Sequence, residues 1–463
     1  MFNPQASRSG AFGLRGALGP ARGSVVVLVA AHLGLLVLND LAAHRGLTLV
    51  FLMLGFAALW RALHRLRGRA LPAVWLLSVA LLLRLLLLPL APTLSNDILR
   101  YIWDGRVVAA GHNPYLLPPE APALEPLRDE LWDGLHHRDV PTVYPPVAMA
   151  AFTLAASVPV PPGVQIFLLK ILFILGDLAA CAGLVYLAGR HSLSTERVAW
   201  YAWNPLVVLE VAGMGHIDAL GVPWVVAAVC LLPLHKAGKA LTAGLAAAGG
   251  ALVKIVPLLA MPLWLRLARH RWRFIAGALA GLTLVLPVLV ATGGVPPGLV
   301  RYGVSWEFNG PVYEPLWRGL DAVGSDRWAE GRLDALKQAT GKHEAVNRLY
   351  PFNYPQLHAK LLLAAGLGIW LLLCWRSRDL VAGTGRLFGG MLLFSATLYP
   401  WYLLWVLPWA ALCRQPAWLL LSALMPLSYL AQGTELPLFP GIFLLIWLPF
   451  AAVHLRYRRW SID

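Results

Sequence analysis

The chain has 463 residues, 59% hydrophobic and only 13% charged, with a formal net charge of +15. Soluble proteins carry about 25% charged residues, and apolar runs of about 20 residues, long enough to cross a bilayer as helices, recur along nearly the whole length, which excludes a soluble multi-domain protein. The positive charge falls in short clusters between apolar runs and forms no continuous stripe, which argues against nucleic acid as a partner.

Taken in order, Arg8, Arg15 and Arg22 precede the first apolar run. No small-residue cleavage site follows, so an uncleaved first span is expected. Spans are predicted over 24–42, 46–62, 71–91, 164–189, 198–213, 218–234, 240–263, 274–292, 359–375, 386–400, 402–413, 416–432 and 438–455. A shorter piece at 147–160 is either a span or a re-entrant helix. The count is about 12–14 transmembrane helices. The N-terminal arm, 61–69, 190–197, 236–239, 266–273, 376–386, Arg414 and 456–459 together hold 22 of the 38 basic residues, so these segments are expected to be cytoplasmic. The two long loops then lie on the other side. The first, 92–146, has four Arg against eight acids, and the second, 293–358, has seven basic and seven acidic residues.

This gives one integral membrane domain with N-terminal spans (23–91), a first extracytoplasmic loop (92–146), central spans (147–292), a second loop (293–358) and C-terminal spans (359–463). One span over 240–263 would join two cytoplasmic loops, which is topologically inconsistent. A broken helix pair around Gly249, Gly250 and Lys254 would restore parity, since non-helical backbone is tolerated at membrane depth where it lines a cavity. Cys181, Cys230, Cys374 and Cys413 lie within or at the ends of spans without metal-ligand spacing and read as packing residues.

Polar groups at span mouths carry the chemistry. Ser95 or Asn96 can cap a helix with Asp97 in its first turn. Asp97, Arg100, Tyr101 and Asp104 then share one face. An acid there is favoured by the helix dipole and suits a general base. The competing reading is an interfacial helix with a capping Asp and an Arg100–Asp104 pair that only shapes the loop. Tandem prolines after Tyr144 fix the start of an apolar run. Glu210, His216 and Asp218 belong to a turn between spans and are either satisfied turn groups or a weak metal pattern. Lys254, alone in an apolar run, either snorkels or faces a phosphate, whereas Arg84 and Lys170 are expected to snorkel. In 301–318, Arg301, Glu307, Asn309, Trp306 and Trp317 suit a sugar or an interfacial aromatic belt. Tyr399 and Trp401 are expected to belong to such a belt. Nucleotide-binding glycine loops, hydrolase elbows and zinc patterns are absent, so a sugar donor on the outer side would be lipid-linked.

The ordered motifs SNDILRYIWDGRVVAAGHNPY, VYPPVA, WNPLVVLEVAGMGHIDAL, VKIVPLL, SWEFNGPVY and YPWYLLWVLP, spanning about 90–410, resemble the bacterial GT-C glycosyltransferases. Among these, they are most similar to the polyprenyl-phosphate-mannose-dependent alpha-mannosyltransferases. The first and third motifs are the specific ones. The resemblance implies an all-α polytopic membrane fold of the GT-C type in the bacterial cytoplasmic membrane, with an extracytoplasmic active site. It also implies inverting transfer of a hexose, mannose foremost, from a polyprenyl-phosphate donor to a glycan or glycolipid acceptor. By motif position Asp97 is the base; this chain has Asn96 where relatives often carry a second acid. The remaining roles are not fixed by the resemblance; the candidate cations to stabilise the leaving phosphate are Arg100 first, then Lys254 and Arg301. The candidate substrate-binding residues are Arg100, Tyr101, Asp104, Tyr144, His216, Asp218, Lys254, Arg301, Glu307 and Asn309, with Asp104 as the partner holding Arg100. No cofactor is indicated; a divalent metal is conceivable without a ligand pattern. The partners are the lipid-linked donor, the acceptor and membrane lipids. The rival class, a transporter or flippase of a lipid-linked sugar, predicts internal repeats and midplane polar sites, neither of which is visible. A catalytically dead scaffold is the third reading.

Overall fold

The computed structural model describes residues 19–69, 71–457 and 459–462. Arg8 and Arg15 of the expected basic arm lie outside them. The described residues form helices and connecting turns without a strand; two isolated bridges join Phe308 and Asn309 to Thr397. The protein is an all-α polytopic membrane protein.

Among the described residues, six helices are long and apolar enough to cross a bilayer: Gly19–Leu38, Arg45–Leu66, Pro162–Arg190, Arg271–Thr292, Pro355–Trp375 and Leu438–Arg456. They are apolar around most of their circumference, as helices in contact with lipid must be. Pro355–Trp375, for example, exposes Leu361, Leu362, Ile369, Leu372 and Leu373. The other expected spans are shorter. Ala73–Leu87, Asp218–Leu231 and Leu380–Leu393 have 15, 14 and 14 residues, about 21–23 Å of helix against about 30 Å of hydrocarbon.

The basic segments meet at one end of the bundle. Ser194 donates to the Arg69 carbonyl (3.0 Å), Arg197 to those of Leu412 (2.8 Å) and Ile462 (2.9 Å), and Gln415 to that of Arg459 (2.7 Å). The long loops pack together at the opposite end, where Arg301 is ion-paired to Asp139.

The parity problem at 240–263 is solved by a re-entrant hairpin. Helix Ala237–Ala251 stops, Lys254 lies in the turn, and the chain resumes as a 3-10 turn, Val256–Ala260, followed by helix Met261–Leu267. Beyond it, Arg269 and His270 hydrogen-bond to His235 at 2.9 and 3.0 Å, so the chain leaves on the side where it entered. Helices Ala237–Ala251 and Arg271–Leu282 consequently run parallel, Gly277 against Leu241 and Leu245, and Gly281 against Leu245 and Ala248. A Cβ on Gly277 would lie 2.0 Å from the Leu241 carbonyl oxygen; only a residue without a side chain allows this approach. The piece at 147–160 is the 11-residue helix Pro146–Ala156. At about 16 Å it is too short to cross. It packs on helix Asp97–Ala109 through Phe152, which stacks on Tyr101 with ring centroids 4.6 Å apart.

Two cations expected to snorkel do not. Arg84 is fully buried and ion-paired to Asp177, also fully buried. It donates further to the carbonyls of Ala80 (2.9 Å) and Ala202 (2.8 Å), while Tyr201 donates to Asp177 at 2.5 Å. Lys170 donates to the Leu90 carbonyl at 2.6 Å and is 2% exposed. Both helices turn these faces toward the bundle, where a charge needs a partner. The four cysteines are free, three of them buried.

Removing one partner of the buried pair strands the other. Asp177→Asn should therefore cost about 3–5 kcal/mol, read as reduced unfolding stability of the detergent-solubilised protein. Replacing both partners, Arg84→Met with Asp177→Leu, should recover most of that loss.

Candidate active site

A cavity of about 520 Å³ opens at the end opposite the basic segments. Its walls come from the first loop, the Lys254 turn, the second loop and the 395–405 segment. Helix Asp97–Ala109 supplies the first wall. The Asn96 side chain is tied to the Gly134 carbonyl (2.7 Å) and does not cap the helix, whereas Ser95 Oγ accepts from the Asp97 N–H at 3.4 Å; Asp97 itself faces the cavity and is 37% exposed.

One turn further along, the Arg100 guanidinium is held from three directions. Its Nε meets Asp104 at 2.7 Å, one Nη donates to the Val140 carbonyl at 2.7 Å and the other to that of His137 at 3.3 Å. Burial pushes the Asp104 carboxyl above the usual carboxylate range, and the Arg100 charge opposes this. Asp104 lies behind the wall, while Arg100, Tyr101 and Tyr144 line it.

Under Asp97 lies a second polar layer. A wide turn, Leu209–Met214, leads to Gly215 at φ +76°, then to His216 and to helix Asp218–Leu231. His216 Nδ1 is 3.7 Å from Asp97 Oδ2, and its Nε2 is 3.2 Å from Glu210 Oε2. Tyr429 donates to the other Glu210 oxygen at 2.5 Å. Asp218 receives Lys254 Nζ at 2.8 and 3.1 Å and Trp405 Nε1 at 2.5 Å. Lys254 is thus a cavity residue anchored by an ion pair, with its ammonium 4.1 Å from the Tyr402 ring centroid.

Besides Asp104, His216 and Asp218, which lie behind the wall, three more of the expected binding residues are not on it. Arg301 pairs with Asp139 at the loop surface. Glu307 meets Lys360 at 2.8 Å. Asn309 is fully buried and accepts a hydrogen bond from Trp447 at 2.8 Å. Arg301 is on helix Pro297–Ser305 but off the face of Leu299 and Tyr302, which with Trp306 face the cavity, and beyond the helix Glu307 and Asn309 are held by Lys360 and Trp447. The expectation of a lipid-facing belt at Tyr399 and Trp401 is also corrected. The two rings stack at 4.6 Å, Trp401 is 4% exposed and lies on His216 at 3.8 Å and 11°, and both wall the cavity. Here the chain unwinds into a 3-10 turn, Pro400–Trp405, as backbone lining a cavity can. Tyr302, His137 and Gln432 also line it; nothing in their local composition or spacing marked them. Among the described residues no group of three or more His, Cys, Asp or Glu is placed to hold a metal.

A family model described as alpha-(1->6)-mannopyranosyltransferase, N-terminal domain, matches residues 11–269. The chain belongs to this family. The mannosyltransferase match takes in Asp97, Glu210–Asp218 and Lys254, and the aromatic walls at 302–306 and 399–405 lie beyond it. Searches of curated proteins and of solved structures found no match.

Gly215 sits where the two layers meet. A Cβ there would lie 2.5 Å from Ile98 Cδ1 in a left-handed conformation. Gly215→Ala should cost at least about 1–2 kcal/mol, measurable as a lowered thermal midpoint in detergent.

Proposed function

We propose that this mannosyltransferase moves mannose, with inversion, from a polyprenyl-phosphate-linked donor to a glycan or glycolipid acceptor on the extracytoplasmic face of a bacterial cytoplasmic membrane, with Asp97 as general base. The observation that carries this reading is a half-open carboxylate on an aromatic-walled cavity that also holds the Lys254 ammonium, at the end of the bundle remote from the basic segments. Positively charged segments stay cytoplasmic, so that cavity faces the compartment without nucleotide-sugars. The cavity draws on both loops and on the spans around them, which supports treating the chain as one catalytic unit.

Asp97 accepts the proton of an acceptor hydroxyl as that oxygen attacks the anomeric carbon. The bond from that carbon to the phosphate oxygen breaks, and the polyprenyl phosphate leaves as a stable anion. No carboxylic acid is needed to protonate it, unlike in glycoside hydrolysis. Lys254, held by Asp218, stabilises the charge developing on that phosphate. Arg100, already bound on three sides, fixes the loop around the base. The stacked Tyr399 and Trp401 suit a sugar face. Ile255, Leu258 and Leu259 give the cavity an apolar side for the first prenyl units, and Ile255 and Leu258 remain 45% and 40% exposed where lipid would enter.

Asp97→Asn should lower kcat for transfer from polyprenyl-phosphate mannose by about 10²–10⁴-fold with little change in KM. Full activity in that variant sinks the base assignment. Lys254→Met should cost about 10²–10³-fold in kcat, measured with the same donor in membranes. A single cysteine at position 137 should react with a membrane-impermeant maleimide in intact spheroplasts, and labelling only after lysis overturns the topology.

A further inference from the structure

Transfer as described leaves a proton on Asp97, and the layer beneath that residue is built to receive it. His216 is 1% exposed and Glu210 is fully buried. The imidazole cannot bind a sugar: Trp401 covers one of its faces at 3.8 Å, and both ring nitrogens are shut off from solvent. Each nitrogen instead faces a carboxylate, Nδ1 toward Asp97 at 3.7 Å and Nε2 toward Glu210 at 3.2 Å. Tyr429 fixes the far oxygen of Glu210 at 2.5 Å.

This order fixes the direction of proton flow. Neither contact is a formed hydrogen bond, but Glu210 Oε2, at 3.2 Å, is the nearer acceptor and favours the tautomer with hydrogen on Nε2, which leaves the Nδ1 lone pair on the Asp97 side. Before the reaction that pair faces an anion and no hydrogen bond forms between them. A proton arriving on Asp97 Oδ2 supplies the missing hydrogen. We infer that His216 takes the acceptor's proton from Asp97, and that Glu210 and Tyr429 are positioning residues that set its tautomer and stabilise the imidazolium. The inference rests on Asp97 being the base.

The step balances without a co-reactant. The acceptor O–H bond breaks as oxygen bonds to the anomeric carbon, and the carbon–phosphate oxygen bond gives its electron pair to the leaving phosphate. The proton passes to Asp97 Oδ2 and then to His216 Nδ1. It returns through Asp97, the exposed member of the chain, to water once products leave. The arrangement follows triad logic with the base on the substrate side, an imidazole behind it and a carboxylate orienting the imidazole.

The test compares His216→Gln, Glu210→Gln and His216→Ala with Asp97→Asn, all folded by size-exclusion profile and assayed with polyprenyl-phosphate mannose. His216→Gln and Glu210→Gln should each lower kcat by about 10²-fold with KM within about threefold. Added imidazole should restore His216→Ala at least about tenfold and leave Asp97→Asn unchanged. A purely structural His216 would gain nothing from imidazole. Wild-type kcat in His216→Gln, or a loss carried by KM alone, overturns the relay. Should His216→Ala fail to fold, the two glutamine variants decide the matter by the same criteria. If Asp97→Asn is inactive while His216→Gln is fully active, the relay fails and the base assignment stands. Activity in Asp97→Asn removes the base assignment itself.

Discussion

A charge or an unpaired backbone group inside hydrocarbon has no water to turn to, and the architecture of this protein follows from that constraint. Three deeply placed cations have each been given a partner within the bundle: Arg84 with Asp177, Lys254 with Asp218, Lys170 with the Leu90 carbonyl. The helical backbone is interrupted where the chain reaches the cavity, at the Lys254 turn and at Pro400–Trp405. Broken helices are costly in lipid and affordable against a polar cavity, so the breaks and the cavity coincide.

The same constraint separates two kinds of buried ion pair. Arg84 and Asp177 are sealed from the cavity, complete one another with backbone carbonyls and Tyr201, and join helices Ala73–Leu87 and Pro162–Arg190. Lys254 and Asp218 are paired as tightly, but the ammonium retains a cavity face. A fully enclosed pair contributes register between helices. A pair with one open side offers its charge to whatever enters.

Several of these features were legible in the chain itself. Hydropathy is local and additive, so the membrane class could be read directly, and the run of basic residues between spans anticipated the end at which they meet. Parity alone demanded a break near Lys254, and a hairpin closes there through His235, Arg269 and His270. The helix over Asp97–Ala109 followed from its spacing, as did the Arg100–Asp104 contact, because residues four apart share a face. Arg84 and Lys170 misled because an isolated cation in a Leu-rich run looks the same whether its helix faces lipid or bundle. Tyr399 and Trp401 misled for a related reason, since aromatic residues at a span end serve a belt or a cavity equally well.

What the sequence by itself determined, then, was everything with a local cause: which segments are apolar enough for lipid, where charge gathers, and that an acid opens a helix at the mouth of a span. The tertiary structure alone decided which side chains meet. Tyr429 reaches Glu210 across 219 residues and Trp405 reaches Asp218 across 187. It also turned Arg301, Glu307 and Asn309 away from the cavity that Tyr302 and Trp306 face. The rotation of a helix about its axis and the path of a loop are set by packing against distant elements, and neither periodicity nor composition carries that information.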